Sequence, residues 1–174
     1  MNNSYFDLAH QQELVEGIKF RKLTVHKDPT GVLFETLRRD WQDVFNDDEL
    51  AFFMQYMSIT PSGIARDEDM WHVHKNQSDR FICASGRIVT AVFDPRPESR
   101  TSGKLNLFVM GHANEDEMYM IIIPPNTYHG FMVISKEPGY LLNFPTQLYN
   151  PEDEGRIAHN DKFTWQSVRE DFGL

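Results

Sequence analysis

Residues 71–86 read Trp71-His72-Val73-His74-Lys75-Asn76-Gln77-Ser78-Asp79-Arg80-Phe81-Ile82-Cys83-Ala84-Ser85-Gly86. A strand through Trp71 and His74 puts His72 and His74 on one face, because side chains alternate with period two. A polar stretch follows, then the apolar run Arg80 to Ala84, then Ser85-Gly86, the signature of a tight hairpin. Histidines scattered over a surface seldom sit at this spacing with a carboxylate five residues later. The pattern places Asp79 across a turn, on the neighbouring strand.

Short apolar or alternating segments of the same kind recur on both sides of this stretch: Ile18 to Val25, Val32 to Thr36, Phe52 to Ile59, Ile88 to Phe93, Leu105 to Val109, Met118 to Ile123, Gly130 to Ile134 and Tyr140 to Phe144. Turn residues separate them, as in Lys27-Asp28-Pro29-Thr30-Gly31 and Asp94-Pro95-Arg96-Pro97. The spacing predicts an all-β sandwich or barrel. Helices are predicted at Leu8 to Val15, Asp40 to Leu50 and Thr164 to Phe172, flanking the β core. The loop Asp94 to Lys104 is the only long polar connection in this reading. No repeat or low-complexity segment divides the 174 residues, so one domain is expected over 1–174, with a core of about 16–161.

Hydrophobic residues make up 40% of the chain and charged residues 25%, the balance of a globular protein. Seventeen Lys and Arg against 26 Asp and Glu give a net charge of −9, which repels a nucleic acid polymer. A few arginines in a cleft still suffice for a small phosphorylated ligand. The acidic patches, including Asp67-Glu68-Asp69, read as solvated loops. The longest apolar run, Met118 to Pro125, is too short for a membrane span, and Met1 to Gln12 carries no secretory signal, so the expected location is the cytoplasm. Cys83 is the single cysteine and reads as a buried small hydrophobe.

His129 follows the turn Pro124-Pro125-Asn126-Thr127 at the start of a strand. With His72, His74 and Asp79 it completes three imidazoles and a carboxylate, a donor set suited to a divalent transition metal. The same residues also suit metal-free proton transfer, one imidazole acting as base and others donating to a carbonyl oxygen. His10, His26, His112 and His159 are isolated and read as structural.

The positions His72, His74, Asp79 and Gly86, followed by Pro124, Asn126 and His129, resemble the two signatures of the cupin superfamily. A closer resemblance covers about Glu16 to Asp161. Its pieces are Asp28-Pro29-Thr30-Gly31 through Glu35, Gln55, Gly63-Ile64-Ala65-Arg66, Trp71-His72-Val73-His74, Asp94-Pro95-Arg96 with Ser99 and Thr101, Pro124-Pro125 with His129-Gly130-Phe131, and Tyr149-Asn150-Pro151 leading to Asn160-Asp161. In order and spacing they are similar to the dTDP-4-dehydrorhamnose 3,5-epimerase family, in a branch where Trp-His-x-His replaces Arg-Gly-Leu-His.

The resemblance implies a cupin jelly roll with short flanking helices, a homodimer, and action without a cofactor on a nucleotide-linked 4-keto-6-deoxyhexose. It implies that His72 removes a proton at C3 or C5 beside the ketone and that His129 lines the same pocket. It also implies that Glu35 and Gln55 contact the nucleotide and that Arg66 faces the diphosphate. His74 and Asp79 complete the pocket. Three positions depart from the family: Asn143 stands where the acid tyrosine falls, Asp79 where a lysine falls, and Thr30 where an arginine falls. Two other readings stand beside the epimerase: a metal-binding cupin enzyme held by His72, His74, Asp79 and His129, and a non-catalytic sugar-nucleotide binding module. In the latter, Trp71, Tyr128 and Tyr149 would offer stacking surface.

Overall fold

The computed structural model describes residues 3–8, 12–160 and 163–174. They contain β1 (Lys19–Lys22), β2 (Val25–Asp28), β3 (Gly31–Phe34), β4 (Tyr56–Thr60), β5 (Met70–His74), β6 (Asp79–Ser85), β7 (Arg87–Phe93), β8 (Leu105–Gly111), β9 (Tyr119–Ile123), β10 (Tyr128–Val133), β11 (Gly139–Asn143), β12 (Glu154–Ala158) and α1 (Trp165–Phe172). Two five-stranded sheets, ordered β1-β9-β6-β11-β4 and β12-β5-β10-β7-β8, pack face to face, and β2 and β3 form a separate hairpin. Pairing within both sheets is antiparallel. This is the jelly roll expected from the sequence.

The alternation of side chains defines three apolar layers. Phe81, Cys83, Ile121, Ile123 and Leu141 from one sheet meet Ile88, Val92, Phe108, Met110, Phe131 and Val133 from the other. The intervening residues Ile82, Met120 and Ile122 face outward under Leu23, Trp41, Val44, Phe45 and Leu50. Trp71, Val89, Ala91, Phe93 and Met132 face outward on the opposite side, under Phe163, Trp165 and Val168. Strands covered on both faces need no polar alternation, which is why Met118 to Ile123 reads as a continuous apolar run. Gly130 leaves room for this cover, since a Cβ there would lie 3.2 Å from Trp165.

The helix at the C-terminal end forms as expected and stops at Gly173, whose φ of 67° terminates it in the left-handed region. The other two predicted helices are corrected. Residues 40–50 form turns, because the carbonyls of Val44 and Leu50 accept from the buried Arg80 guanidinium instead of continuing a helix. Asn46 Oδ1 further accepts the N–H groups of Asp48, Glu49 and Leu50 at 3.2, 2.8 and 3.1 Å. This non-β connection between β3 and β4 is longer than the Asp94 to Lys104 loop. In the Leu8 to Val15 segment, residues 12–15 are not helical; residues 9–11, with His10, lie outside the described residues, as does Asp161. The run Phe52 to Ile59 becomes a strand only from Tyr56, and the run Ile18 to Val25 breaks after Lys22. Among the described residues, no helix is long and apolar enough to cross a membrane.

Candidate active site

The histidines converge because two neighbouring strands, β5 and β10, put them on one inner face. His129 of β10 lies directly opposite His72 of β5, which in turn faces Arg156 of β12, while His74 faces Glu154. The ring centroids are 4.6 Å apart for His72 and His74, 5.3 Å for His72 and His129, and 6.1 Å for His74 and His129. The turn before β10 fixes this register. Asn126 adopts a φ of 60°, as its place in a glycine position requires. Its N–H then donates to the His74 carbonyl at 2.7 Å and its side chain to Lys75 O at 3.1 Å.

Asp79 corrects the sequence reading in one respect: β6 is not the neighbour of β5 but belongs to the facing sheet. The carboxylate therefore reaches the histidines across the interior. Its Oδ2 accepts from His129 Nε2 at 3.1 Å and lies 3.6 Å from His74 Nε2. Its Oδ1 accepts from Gln77 Nε2 at 2.8 Å and Asn143 Nδ2 at 2.9 Å. Burial alone would raise the Asp79 carboxyl, but the His129 hydrogen bond, the neighbouring imidazoles and Asn143 outweigh it and hold the carboxyl well below the usual range.

The three rings are not equivalent. His74 is buried, with Gln77 Nε2 at 3.1 Å from its Nε2 and Asp153 Oδ2 at 3.4 Å from its Nδ1. Gln77 donates to Nε2 there, which leaves the hydrogen on Nδ1, facing Asp153. Asp153 is itself held by the Asn76 and Gln77 backbone at 2.9 and 3.2 Å. His129 is committed to Asp79. His72 is the most accessible, its side chain 22% exposed against 8% for His74 and 4% for His129, with Glu154 Oε2 3.6 Å from its Nε2. Burial first, and then the neighbouring His129, Arg156 and His74, push its pKa down, so the ring rests neutral at pH 7.

These groups line a cavity of about 360 Å³ with Tyr56, Ser58, Arg66, Tyr149 and Arg156. Of the residues singled out from sequence, His72, His74, Asp79, His129 and Arg66 line it. Asn143 borders it through bonds to Tyr56 and Asp79. Glu35 and Gln55 are not among the lining residues: Glu35 pairs with Arg38 at 2.9 Å beside Arg21, Lys22 and Trp41, and Gln55 is exposed just before β4. Trp71 is fully buried on the outer face, 5.0 Å from Phe163, and Tyr128 packs on Phe93, so neither offers stacking surface to this cavity. Tyr149 does. Sequence reasoning missed Tyr56, Asp153, Glu154 and Arg156, since each becomes part of the site only through contacts between distant segments, and it missed Gln77, which bridges His74 and Asp79 from the turn between them.

The cluster could also hold a metal ion. One ring nitrogen from each of His72, His74 and His129 lies within 4.8 Å of the others, with Asp79 beside them. Metal–nitrogen bonds of about 2.0–2.1 Å put tetrahedral donors about 3.3 Å apart, so the rings would draw together modestly around it.

A sequence model of the dTDP-4-dehydrorhamnose 3,5-epimerase family matches residues 12–170. The chain is 39% identical over 149 residues to the probable low-salt glycan biosynthesis epimerase Agl13 of Haloferax volcanii, covering 84% of this chain and 89% of that one. A dTDP sugar isomerase structure from Desulfovibrio desulfuricans superposes with a TM-score of 0.77 at 23% identity, covering 87% of this chain and 92% of the other. A dTDP-6-deoxy-D-glucose-3,5-epimerase from Legionella pneumophila, in complex with dTDP-4-keto-L-rhamnose, superposes at 0.71 with 20% identity, covering 86% and 77%. The chain belongs to the dTDP-4-dehydrorhamnose 3,5-epimerase family and is a carbohydrate epimerase by that membership.

Proposed function

We propose that this protein inverts one or both carbons flanking the ketone of a nucleotide-linked 4-keto-6-deoxyhexose, without a cofactor, using His72 as the base. The C4 ketone makes the C3 and C5 hydrogens acidic, because their loss gives an enolate. The observation that carries the reading is the place of His72: its ring lines the cavity, with Glu154 Oε2 3.6 Å from Nε2, where the carboxylate stabilises the imidazolium once it forms. His129, donating to Asp79, lies on the same face, its ring stacked 5.3 Å from that of His72, where it holds the His72 ring in place. Arg66 and Arg156 on the exposed side of the cavity suit a diphosphate, which planar guanidinium groups pair with well. Glu35 and Gln55, outside this cavity, would contact the nucleotide from elsewhere on the surface or across a homodimer. Large exposed apolar side chains on and beside β3 and β4, among them Leu33, Phe53, Met57 and Ile59, support the dimer. The cytoplasm, where sugar nucleotides are made, is the proposed location.

The test is proton NMR of nucleotide-linked 4-keto-6-deoxyhexoses incubated with the protein in D2O. Wild type should erase the C3 signal, the C5 signal or both. His72→Ala should abolish the exchange while nucleotide binding persists; equal loss of both would remove His72 as the base. Persistence of both signals with wild type, despite binding, would leave a binding module.

One observation favours a second reading: the three ring nitrogens within 4.8 Å of one another, with the Asp79 carboxylate beside them, are the donor set of a transition-metal site. Elemental analysis of the purified protein decides it. About one metal per chain, lost in His74→Ala, would establish the metal reading; metal content unaffected by that substitution would remove His74 as a ligand.

A further inference from the structure

The family resemblance puts Asn143 where an acid tyrosine falls, and an amide cannot deliver a proton as a phenol does. The Asn143 side chain, however, does not end the network. Asn143 pairs in register with Tyr56 of β4, the adjacent edge strand, and the Tyr56 side chain lines the cavity. The amide orientation is fixed by its partners: Oδ1 accepts the Arg80 N–H at 2.9 Å, so Nδ2 must face the other two groups, donating to Asp79 Oδ1 at 2.9 Å and to the Tyr56 hydroxyl oxygen at 2.8 Å. Tyr56 therefore receives a hydrogen bond and keeps its own O–H for another acceptor.

We infer that Tyr56 is the proton donor of the epimerisation, taking from the neighbouring strand the task that Asn143 cannot perform. The inference rests on the proposed epimerase reading. Inversion demands that the proton leave one face of the sugar and return to the other. His72 stands on the sheet β12-β5-β10-β7-β8 and Tyr56 on the sheet β1-β9-β6-β11-β4, so the two groups address the cavity from opposite walls. The C–H bond breaks as the hydrogen passes to the His72 ring. The enolate then collapses to the ketone while the Tyr56 O–H bond breaks and a new C–H bond forms on the opposite face. The resulting phenolate, held by the Asn143 amide, and the imidazolium return to their starting states by exchange with water, which reaches Tyr56, a residue 39% exposed. No oxidant or reductant enters. Burial and the nearby Asp79 charge push the phenol up to about 12, so the donor is loaded at pH 7.

Tyr56→Phe removes only the hydroxyl and tests this directly. In D2O the variant should still wash hydrogen out of the substrate at C3 or C5 at a rate within a few-fold of wild type, while formation of the inverted product falls by about 100-fold or more. Nucleotide binding and the circular dichroism spectrum serve as checks on folding. Inverted product at the wild-type rate would overturn the role of Tyr56 and leave His72 and the epimerase reading standing. Loss of wash-out together with product, with binding intact, would show a positioning role and also overturn the inference. Absence of wash-out in wild type itself would sink the underlying reading, and this inference with it.

Discussion

The Asp94 carboxylate gathers Arg96 Nε at 2.8 Å, Arg96 Nη2 at 2.9 Å, Ser99 Oγ at 2.6 Å and Thr101 Oγ1 at 2.6 Å. These are residues whose spacing carried the family resemblance, and their work is structural: they fold the 94–104 connection back on Glu16. Burial alone would raise the Asp94 carboxyl, yet the four donors hold it well below the ordinary value. The unfolded chain therefore binds this proton more readily in acid. The stability it contributes is complete above about pH 4 and is lost as the pH falls through the lower folded value. Asp94→Asn should cost about 3 kcal/mol at pH 7, and urea melts of the variant should show a flatter acid dependence below about pH 4 than wild type. Parallel pH curves would contradict this account. The same-face pairing of His72 with His74 was legible because period two is a local rule. Tyr56 was not, since nothing in the order of residues 52–59 says that its ring enters the cavity beside Asn143.

At the scale of elements, Arg80 does what apolar periodicity could not reveal. Its guanidinium sits in the core, donating to Val44 O at 2.7 Å, Phe144 O at 2.6 Å and Leu50 O, with the Phe45 ring 4.4 Å away. Burial lowers its pKa to about 10, which still leaves it charged at neutral pH. Trp41, Val44 and Phe45 carry helical spacing, but the local preference yields to these long-range bonds. Arg80→Met would strand several carbonyls and should destabilise the fold by about 3 kcal/mol, with hydrogen exchange in 44–51 accelerating ahead of the sheets. Uniform acceleration everywhere would argue against a local anchor. The strands β6 to β11 were readable because their runs are apolar and punctuated by turns. Strand β12 was not: Glu154-Gly155-Arg156-Ile157-Ala158 is polar and partly exposed, and becomes a strand only by pairing with β5. That pairing brings Glu154 and Arg156 to the histidines, so the hidden strand also hid part of the site.

At the scale of the whole molecule, β4 is an edge strand carrying Met57 and Ile59 at 51% and 57% exposure, with Leu33 of the β2–β3 hairpin at 62%. An unpaired apolar edge is a surface that a second chain can cover. In the proposed dimer, Ile59→Glu should leave a monomer at micromolar concentration where wild type sediments as a dimer; an unchanged sedimentation coefficient would place any interface elsewhere. The opposition of the two sheets has a different consequence. Phe81 and Phe131 meet edge-on at 6.2 Å, and Phe81 lies 5.9 Å from the His129 ring, so the walls bearing His72 and Tyr56 are spaced by hydrocarbon. The thickness of that filling acts as a gauge for the sugar. Trimming one ring would change the separation of those walls, and with it the seat open to a sugar, while every polar side chain stayed in place.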